Sequence, residues 1–155
     1  MSGVHLAQFN IARLGAPFDA PQIAEFREAL DRINALAEAS PGFVWRAVGT
    51  GFDSHDPAID IDPMILANLS VWESAEALAA FVYRSAHSGF VRRGRLWFEP
   101  DTEAQVVLWW IAAGATPTRE EALERLDSLR ANGPSARAFD FKTRFPAALT
   151  EEPVR

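Results

Sequence analysis

One apolar run in the second half of the chain constrains the fold more than any other feature. The segment from Ala104 to Ala113, AQVVLWWIAA, includes a single polar side chain and is rich in β-branched and aromatic residues. The run has the length of a strand, and Gly114 follows it directly. Because successive side chains of a strand point to opposite faces, such a run needs apolar neighbours on both faces. The sequence therefore predicts a central strand that is covered on each side.

Further segments are also predicted as strands. Val4 to Arg13 and Met64 to Trp72 alternate with a period of two residues, which is typical of strands whose two faces differ. Phe43 to Phe52 is predicted as a strand that its glycines weaken towards the end. Ala138 to Phe145 alternates over a shorter stretch and predicts a short edge strand.

Helical periodicity and helix-terminal residues predict helices between and after these strands. Pro21 to Ala39 carries apolar residues at helical spacing and begins with proline, which suits the first helical position. Ala75 to about Tyr83 is predicted as a second helix, with a short helical piece in the basic segment that follows. A last helix is predicted after Thr118, because Glu121 completes the pattern of a capping box and Gly133 ends the periodicity.

The order of these elements is β-α-β-β-α-β followed by one more helix. This is the order of a split βαβ, ferredoxin-like sheet of the α+β class. We expect residues 1–155 to form a single domain, with about 147–155 as a flexible tail. A lone four-stranded sheet with helices on one side leaves its other face open to water, so the apolar run also favours a homodimer.

Charge and composition exclude several classes of protein. The formal net charge of −6 argues against a general binder of nucleic acids or anionic membranes, because such binders need clustered cations. The chain has no cysteine, which excludes disulfides, iron–sulfur clusters and cysteine nucleophiles. We find no secretory signal pattern and no apolar run near the roughly 20 residues of a membrane helix, so we expect a cytoplasmic protein.

Amide and hydroxyl side chains lie on otherwise apolar strand faces. Gln8 and Asn10 share one face of the first strand, and Asn68 and Ser70 share one face of the third. A buried polar group without a partner costs about 1–3 kcal/mol, so these side chains need a reason to be there. We predict a substrate pocket lined by them, with Trp72 as its aromatic wall. The alternative is a dimer seam in which the amides bond to each other or to water.

A basic stretch follows the second predicted helix. His87 precedes Arg92 and Arg93, and nearby like charge favours the neutral form of an imidazole, which suits a general base. Arginines form bidentate pairs with carboxylates and similar anions. We therefore predict His87 as a general base or a hydrogen-bond donor of the pocket, and the two arginines as substrate-binding groups. The alternatives are a structural histidine and ion pairs with Glu99 or Asp101.

Two more features bear on ligands. Trp97 and Trp110 are predicted to add aromatic walls to the pocket, which would suit a flat ligand, while burial in the core is their alternative role. An acidic loop could hold a hard divalent metal, but its spacing matches no motif with a known mechanism. We expect an exposed loop and no metal site there; its members are Asp53, His55, Asp56, Asp60 and Asp62.

Several segments together give the chain a family resemblance. They span most of its length and comprise LAQFNIARL, DRINALAEASPGFVWR, LSVWESAEALAAFVYR, HSGFVRRGRLWFE, VLWWIAAG and PTREEALERLDSLRANGP. On these segments the chain resembles the DUF3291 family, whose function is unknown. That family is similar to the dimeric α/β-barrel group, which includes antibiotic-biosynthesis monooxygenases and haem-degrading monooxygenases. The resemblance implies sheet-to-sheet dimers with a pocket between each sheet and its helices.

The resemblance also implies a function. It favours a cofactor-independent monooxygenase-like enzyme acting on an aromatic or polyketide-like substrate, with Asn10 as a catalytic donor beside the base His87. The alternative is a haem-binding or other ligand-binding dimeric accessory protein without catalysis. The haem degraders of this group carry a tryptophan where this chain has Phe81, and their axial histidine falls later than His87.

Overall fold

The computed structural model describes residues 3–16, 20–47, 65–87 and 105–145. Its strands are β1 (Val4–Arg13), β2 (Phe43–Arg46), β3 (Ile65–Trp72) and β4 (Val106–Ala112). Its helices are a 3₁₀ turn (Pro21–Ile23), α1 (Ala24–Glu38), α2 (Ala75–His87) and α3 (Arg119–Asn132). None of the described helices is both long and apolar enough to cross a membrane.

The described strands form one antiparallel sheet in the order β2-β3-β1-β4. With α1 between β1 and β2 and α2 between β3 and β4, this is the predicted ferredoxin-like arrangement of the α+β class. The prediction that the apolar run forms a central strand is wrong in one respect, because β4 lies at the edge of the described sheet. Its burial on both faces is confirmed, since Val107, Leu108 and Trp109 are at most 1% exposed.

The predicted element boundaries hold to different degrees. β1 has the predicted boundaries, and Pro21 begins a 3₁₀ turn that leads into α1. β2 ends at Arg46, and α2 continues past the predicted end to His87. The predicted strand at residues 138–145 reduces to two isolated bridges. Ala138 pairs with Ser135, and Phe139 and Leu108 exchange two backbone hydrogen bonds of 2.9 and 2.7 Å.

The two faces of the sheet are covered by different parts of the chain. The face that we call polar is covered by α1 and α2, whose Ala37, Leu78 and Phe81 join its core. The face that we call apolar is covered by α3, whose buried residues are Ala122, Leu126 and Leu129. The polar face comprises Leu6, Gln8, Asn10, Asn68, Ser70, Trp72, Leu108 and Trp110; the apolar face comprises Ala7, Phe9, Leu69, Val71, Val107 and Trp109.

α3 is anchored at both ends as the sequence predicts, with one difference. The Thr118 hydroxyl accepts a hydrogen bond of 3.1 Å from the backbone N–H of Glu121, and Gly133 ends the helix at φ +78°. The second bond of a capping box is replaced, because the Glu121 carboxylate accepts a 2.8 Å bond from the indole N–H of Trp109. The cap therefore also ties the helix to the apolar face.

This placement of α3 changes the argument for a dimer. The sequence favours a homodimer because one face of a four-stranded sheet would be left open to water. In the described structure α3 covers that face with apolar side chains from the same chain. The homodimer remains a prediction, and the open face no longer supports it.

Candidate functional site

The register between β1 and β3 brings the predicted polar residues together. Gln8 lies opposite Ser70, and Asn10 lies opposite Asn68, with Trp72 at the next position of the same face. All of these positions differ by an even number along their strands, so their side chains share the polar face. The structure therefore assembles one cluster from two segments about sixty residues apart in sequence.

Three hydrogen bonds connect this cluster. The Gln8 Nε2 amide donates to Asn68 Oδ1 at 2.7 Å and to Ser70 Oγ at 3.0 Å. The Trp72 indole Nε1 donates to the same Ser70 Oγ at 2.9 Å. Ser70 is thus the shared acceptor of an amide and an indole. We call these four residues, Gln8, Asn68, Ser70 and Trp72, the amide cluster.

Burial explains why the amide cluster has to be connected. Gln8 and Ser70 are each 6% exposed, and Trp72 is 1% exposed. Leaving a donor or acceptor unpaired at such depth costs about 1–3 kcal/mol, so mutual bonds stabilise the arrangement. The bond from Gln8 to Asn68 joins two of the amides within one chain, and the pocket and the dimer seam both remain predictions.

Asn10 differs from the neighbouring polar residues in its hydrogen bonds. It lies beside the amide cluster on the polar face and is half-buried. Within the described ranges its side-chain amide makes no hydrogen bond, although Asn68 lies directly opposite. An amide offers two N–H donors and one carbonyl acceptor, and no other described residue uses those of Asn10.

The two tryptophans of the polar face differ in burial and in their contacts. Trp72 is enclosed, because Phe81 stacks on it with ring centroids 5.2 Å apart and Phe43 meets it edge-on at 5.4 Å. Its ring is therefore a packed wall behind the amide cluster. Trp110 is half-buried, and its indole N–H donates to the carbonyl of Phe145 at 2.8 Å.

Phe81 is a residue that the sequence analysis passed over as a departure from the haem degraders. In the structure it stacks on Trp72 and so holds the indole that donates to Ser70. Phe81 follows the buried Leu78 by three residues on α2, so both side chains lie on the same side of the helix. This spacing is the sequence signal that could have predicted the packing of Phe81 against the sheet.

A second polar group that the sequence did not single out lies on the apolar face. Trp109 donates to Glu121, and the Arg125 guanidinium lies 6.0 Å from the Trp109 ring centroid. Arg125 also pairs with Glu124, which accepts a 2.7 Å bond from Arg137. That bond to Arg137, with the charge of Arg125, lowers the pKa of Glu124, while partial desolvation opposes the shift. This group fastens α3 to the sheet.

Other predicted site residues lie outside the described part of the chain. They are the side chain of His87, whose backbone ends α2, together with Arg92, Arg93, Trp97 and the acidic loop from Asp53 to Asp62. Their predicted roles remain predictions. Within the described ranges no group of three or more His, Asp or Glu side chains is arranged to hold a metal ion.

The chemistry that the site offers follows from its members. Amide, hydroxyl and indole groups donate hydrogen bonds at neutral pH without gaining or losing a proton. Such groups can stabilise charge that develops on a ligand oxygen, and they are stronger in a dry environment than in water. They cannot themselves act as a base, so a proton acceptor has to come from another residue.

Several solved structures are similar to this chain at low identity. A mutant form of SnoaB, a cofactor-independent oxygenase from Streptomyces nogalater, is 16% identical with a TM-score of 0.45, covering 74% of this chain and 96% of that one. A putative antibiotic biosynthesis monooxygenase from Chloroflexus aurantiacus is 17% identical with a TM-score of 0.45, over 74% and 97%. A monooxygenase from the gene ActVA-Orf6 of Streptomyces coelicolor, in complex with Nanaomycin D, is 15% identical with a TM-score of 0.38, over 76% and 92%.

Family membership rests on a different comparison. No curated protein matches the chain. The profile of a family described as a domain of unknown function, DUF3291, matches residues 5–154, which is nearly the whole sequence. The same segments that carry the resemblance in the sequence lie within this match. The chain belongs to the DUF3291 family.

Proposed function

We propose that this chain is a small-molecule enzyme of the cofactor-independent monooxygenase kind, acting on an aromatic or polyketide-like substrate. The observation that carries the proposal is the largely buried amide cluster of the polar face, which lies beside Asn10, whose amide has no hydrogen-bond partner among the described residues. A group of fixed, neutral hydrogen-bond donors beside aromatic rings suits the oxygen of an ionised phenol or enol.

The proposed reaction needs no added reductant. A base removes the proton of a phenol or enol, and the electron-rich anion reacts with O₂. One oxygen atom becomes a new carbonyl oxygen of the product, and the other leaves as water with two hydrogens from the substrate. For a simple phenol this gives a quinone, and the four electrons that reduce O₂ all come from the substrate. The protein supplies a base, donors for the anion and a site that excludes water.

The roles divide between described and undescribed residues. Asn10 is proposed to donate to the substrate oxygen, with the amide cluster and Trp110 forming the surroundings. His87 is proposed as the base, and Arg92 and Arg93 as anion-binding groups. Trp97 is proposed as a further wall. The proposed cellular location is the cytoplasm, and the homodimer also remains a proposal.

The second candidate is a ligand-binding protein without catalysis. The observation that favours it is that the amide cluster contains no group that takes up or releases a proton near neutral pH. A haem ligand fits this cluster poorly, because haem iron takes imidazole, thiolate, thioether or phenolate ligands, and the four residues supply none. Haem binding would therefore depend on His87, whose side chain is outside the described residues.

Oxygen uptake tests the proposal. The purified protein is supplied with phenols, hydroquinones and naphthols, and O₂ consumption is compared with product formation. We expect one O₂ consumed per quinone formed and no release of hydrogen peroxide. The Asn10→Ala variant is expected to lose about a hundredfold to a thousandfold in rate, which is the range for one lost oxyanion donor.

Matched variants separate the alternatives. Asn132→Ala removes an exposed amide at the end of α3, so it should leave the rate unchanged. His87→Ala should lower the rate and change its pH profile. Binding of these substrates with no uptake of O₂ would reject the enzyme and support the ligand-binding protein. Equal rates for Asn10→Ala and Asn132→Ala would remove Asn10 from the mechanism.

A further inference from the structure

The hydrogen bonds of Ser70 determine which way its hydroxyl proton points. The indole N–H of Trp72 has a hydrogen to donate and cannot accept, so Ser70 Oγ must be the acceptor in that contact. Gln8 Nε2 donates to the same oxygen at 3.0 Å. A hydroxyl oxygen has two lone pairs, and these two donors occupy both. The Ser70 proton is therefore directed away from Gln8 and Trp72.

That proton has no acceptor in the described part of the chain. Each hydrogen bond of the Ser70 hydroxyl in that part is one that its oxygen accepts. Asn68 is in a similar state, because its Oδ1 accepts from Gln8 while its Nδ2 hydrogens have no partner among the described residues. Ser70 is buried and Asn68 is half-buried, so the unused hydroxyl hydrogen belongs to the more deeply buried residue of the two.

We propose that the amide cluster selects an oxyanion over the same oxygen in its protonated form, with Trp72 as a positioning residue that keeps the Ser70 hydroxyl pointing outward as a donor. The ligand class rests on the proposed function. A negative oxygen accepts from Ser70 and Asn68 in charge-assisted bonds, which are roughly twice as strong as neutral ones. A protonated phenol brings a hydrogen of its own and matches these donors less well.

One competing arrangement makes the opposite prediction. If the Gln8 and Asn68 amides were both turned over, Gln8 Oε1 would accept from the Ser70 hydroxyl and from Asn68 Nδ2. The Ser70 proton would then be used inside the cluster, and Trp72 would no longer control it. That arrangement would leave Gln8 hydrogens and an Asn68 carbonyl for the ligand, so it would not favour an anion through Ser70.

Para-nitrophenol distinguishes these possibilities because its phenol and phenolate forms absorb at different wavelengths. The probe is titrated with the purified full-length protein across a range of pH, and the spectrum of the bound probe gives the ratio of its two forms. We expect the phenolate to bind about tenfold more tightly than the phenol, which lowers the apparent pKa of the bound probe by about one unit.

Two variants test the positioning role. Trp72→Phe removes the indole N–H and keeps a ring for Phe43 and Phe81 to pack against. The tenfold preference should then fall to about twofold or less, since Ser70 regains a lone pair and its proton can turn. Ser70→Ala removes the hydroxyl and should reduce the preference similarly. Trp109→Phe removes an indole N–H on the apolar face and should leave the preference unchanged. Circular dichroism verifies that each variant is folded.

The possible failures are distinguishable. If the wild-type protein binds both forms equally, or prefers the phenol, the oxyanion inference is overturned while binding of an aromatic ligand still stands. A preference that survives in both Trp72→Phe and Ser70→Ala overturns the positioning role. If equilibrium dialysis, which does not depend on the spectrum, finds no binding of para-nitrophenol at any pH, the aromatic ligand class of the proposed function fails together with the inference.

Discussion

The two faces of the same sheet both contain deeply buried residues, but they are built differently. On the apolar face, Phe9 and Val107 pack under α3 with at most 1% of their surface exposed. On the polar face, Gln8 and Ser70 are nearly as deeply buried, at 6%. One face holds its covering helix mainly through apolar contact. The other holds a connected set of polar groups that still has hydrogens to donate.

This difference indicates which buried positions are not occupied by the residues that packing alone would favour. Apolar residues at the positions of Gln8 and Ser70 would satisfy the packing without any need for hydrogen bonds. Positions at which a chain departs from the simplest solution for stability are expected at functional sites. The comparison therefore makes the polar face the place to search for a ligand and the apolar face a structural layer.

The largest expected effect is a cavity on the apolar face. Phe9→Ala should lower the free energy of unfolding by about 3–5 kcal/mol, because a fully buried ring is removed from beneath α3. Phe141→Ala, at a ring that is 38% exposed, should cost about 0.5 kcal/mol or less. Urea unfolding followed by circular dichroism measures both values. A loss of unfolding free energy below about 1 kcal/mol for Phe9→Ala would contradict the conclusion that α3 covers the apolar face.

The second-largest expected effect concerns the hydrogen bond between Trp72 and Ser70 on the polar face. Ser70→Ala leaves the Trp72 N–H without its acceptor and should cost about 1–3 kcal/mol. Trp72→Phe combined with Ser70→Ala removes both partners, so the double variant should be less destabilised than the sum of the single variants by about 1 kcal/mol. Urea unfolding of the four proteins of this cycle gives the coupling energy. Additive values would show that the indole–hydroxyl bond does not contribute.

A smaller effect concerns the polar attachment of α3. Glu121→Ala removes the acceptor of the Trp109 indole and should lower the unfolding free energy by about 1–2 kcal/mol. Glu120→Ala is the matched control, since this exposed residue shares the first turn of α3 and its favourable interaction with the helix dipole. Chemical denaturation compares the two variants. Equal losses would assign the whole effect to the helix dipole.

The smallest effect is a pH dependence on the outer side of α3. The bond from Arg137 and the charge of Arg125 lower the pKa of Glu124, so the folded state binds its proton more weakly than the unfolded chain does. The resulting stability is present above the unfolded pKa of glutamate, about 4.3, and is lost as the pH falls through the lower folded value. Because Glu124 is largely exposed, we expect less than about 1 kcal/mol.

Acid titration of the unfolding free energy tests this linkage. Glu124→Gln should remove the corresponding part of the decline below about pH 4.3, and roughly 1 M salt should reduce it in the wild-type protein. An unchanged acid profile in Glu124→Gln would show that the ion pairs do not contribute.

Much of the site could be predicted from local pattern. The period of two residues places Gln8 with Asn10 on one face of β1 and Asn68 with Ser70 on one face of β3, without knowledge of any partner strand. The boundaries of β1 and the capping of α3 by Thr118 also follow from short-range rules, and the structure confirms both. The order of the elements was enough to predict the ferredoxin-like arrangement.

The contacts between distant segments were decided by the tertiary structure alone. The bond from Trp72 to Ser70 and the two bonds of Gln8 depend on the register of β1 against β3, which local pattern does not specify. The edge position of β4, and the covering of its second face by α3, likewise depend on how the chain returns to the sheet. An apolar sequence shows that a strand must be buried. Because the hydrophobic effect is non-directional, the sequence does not show which segment covers the strand.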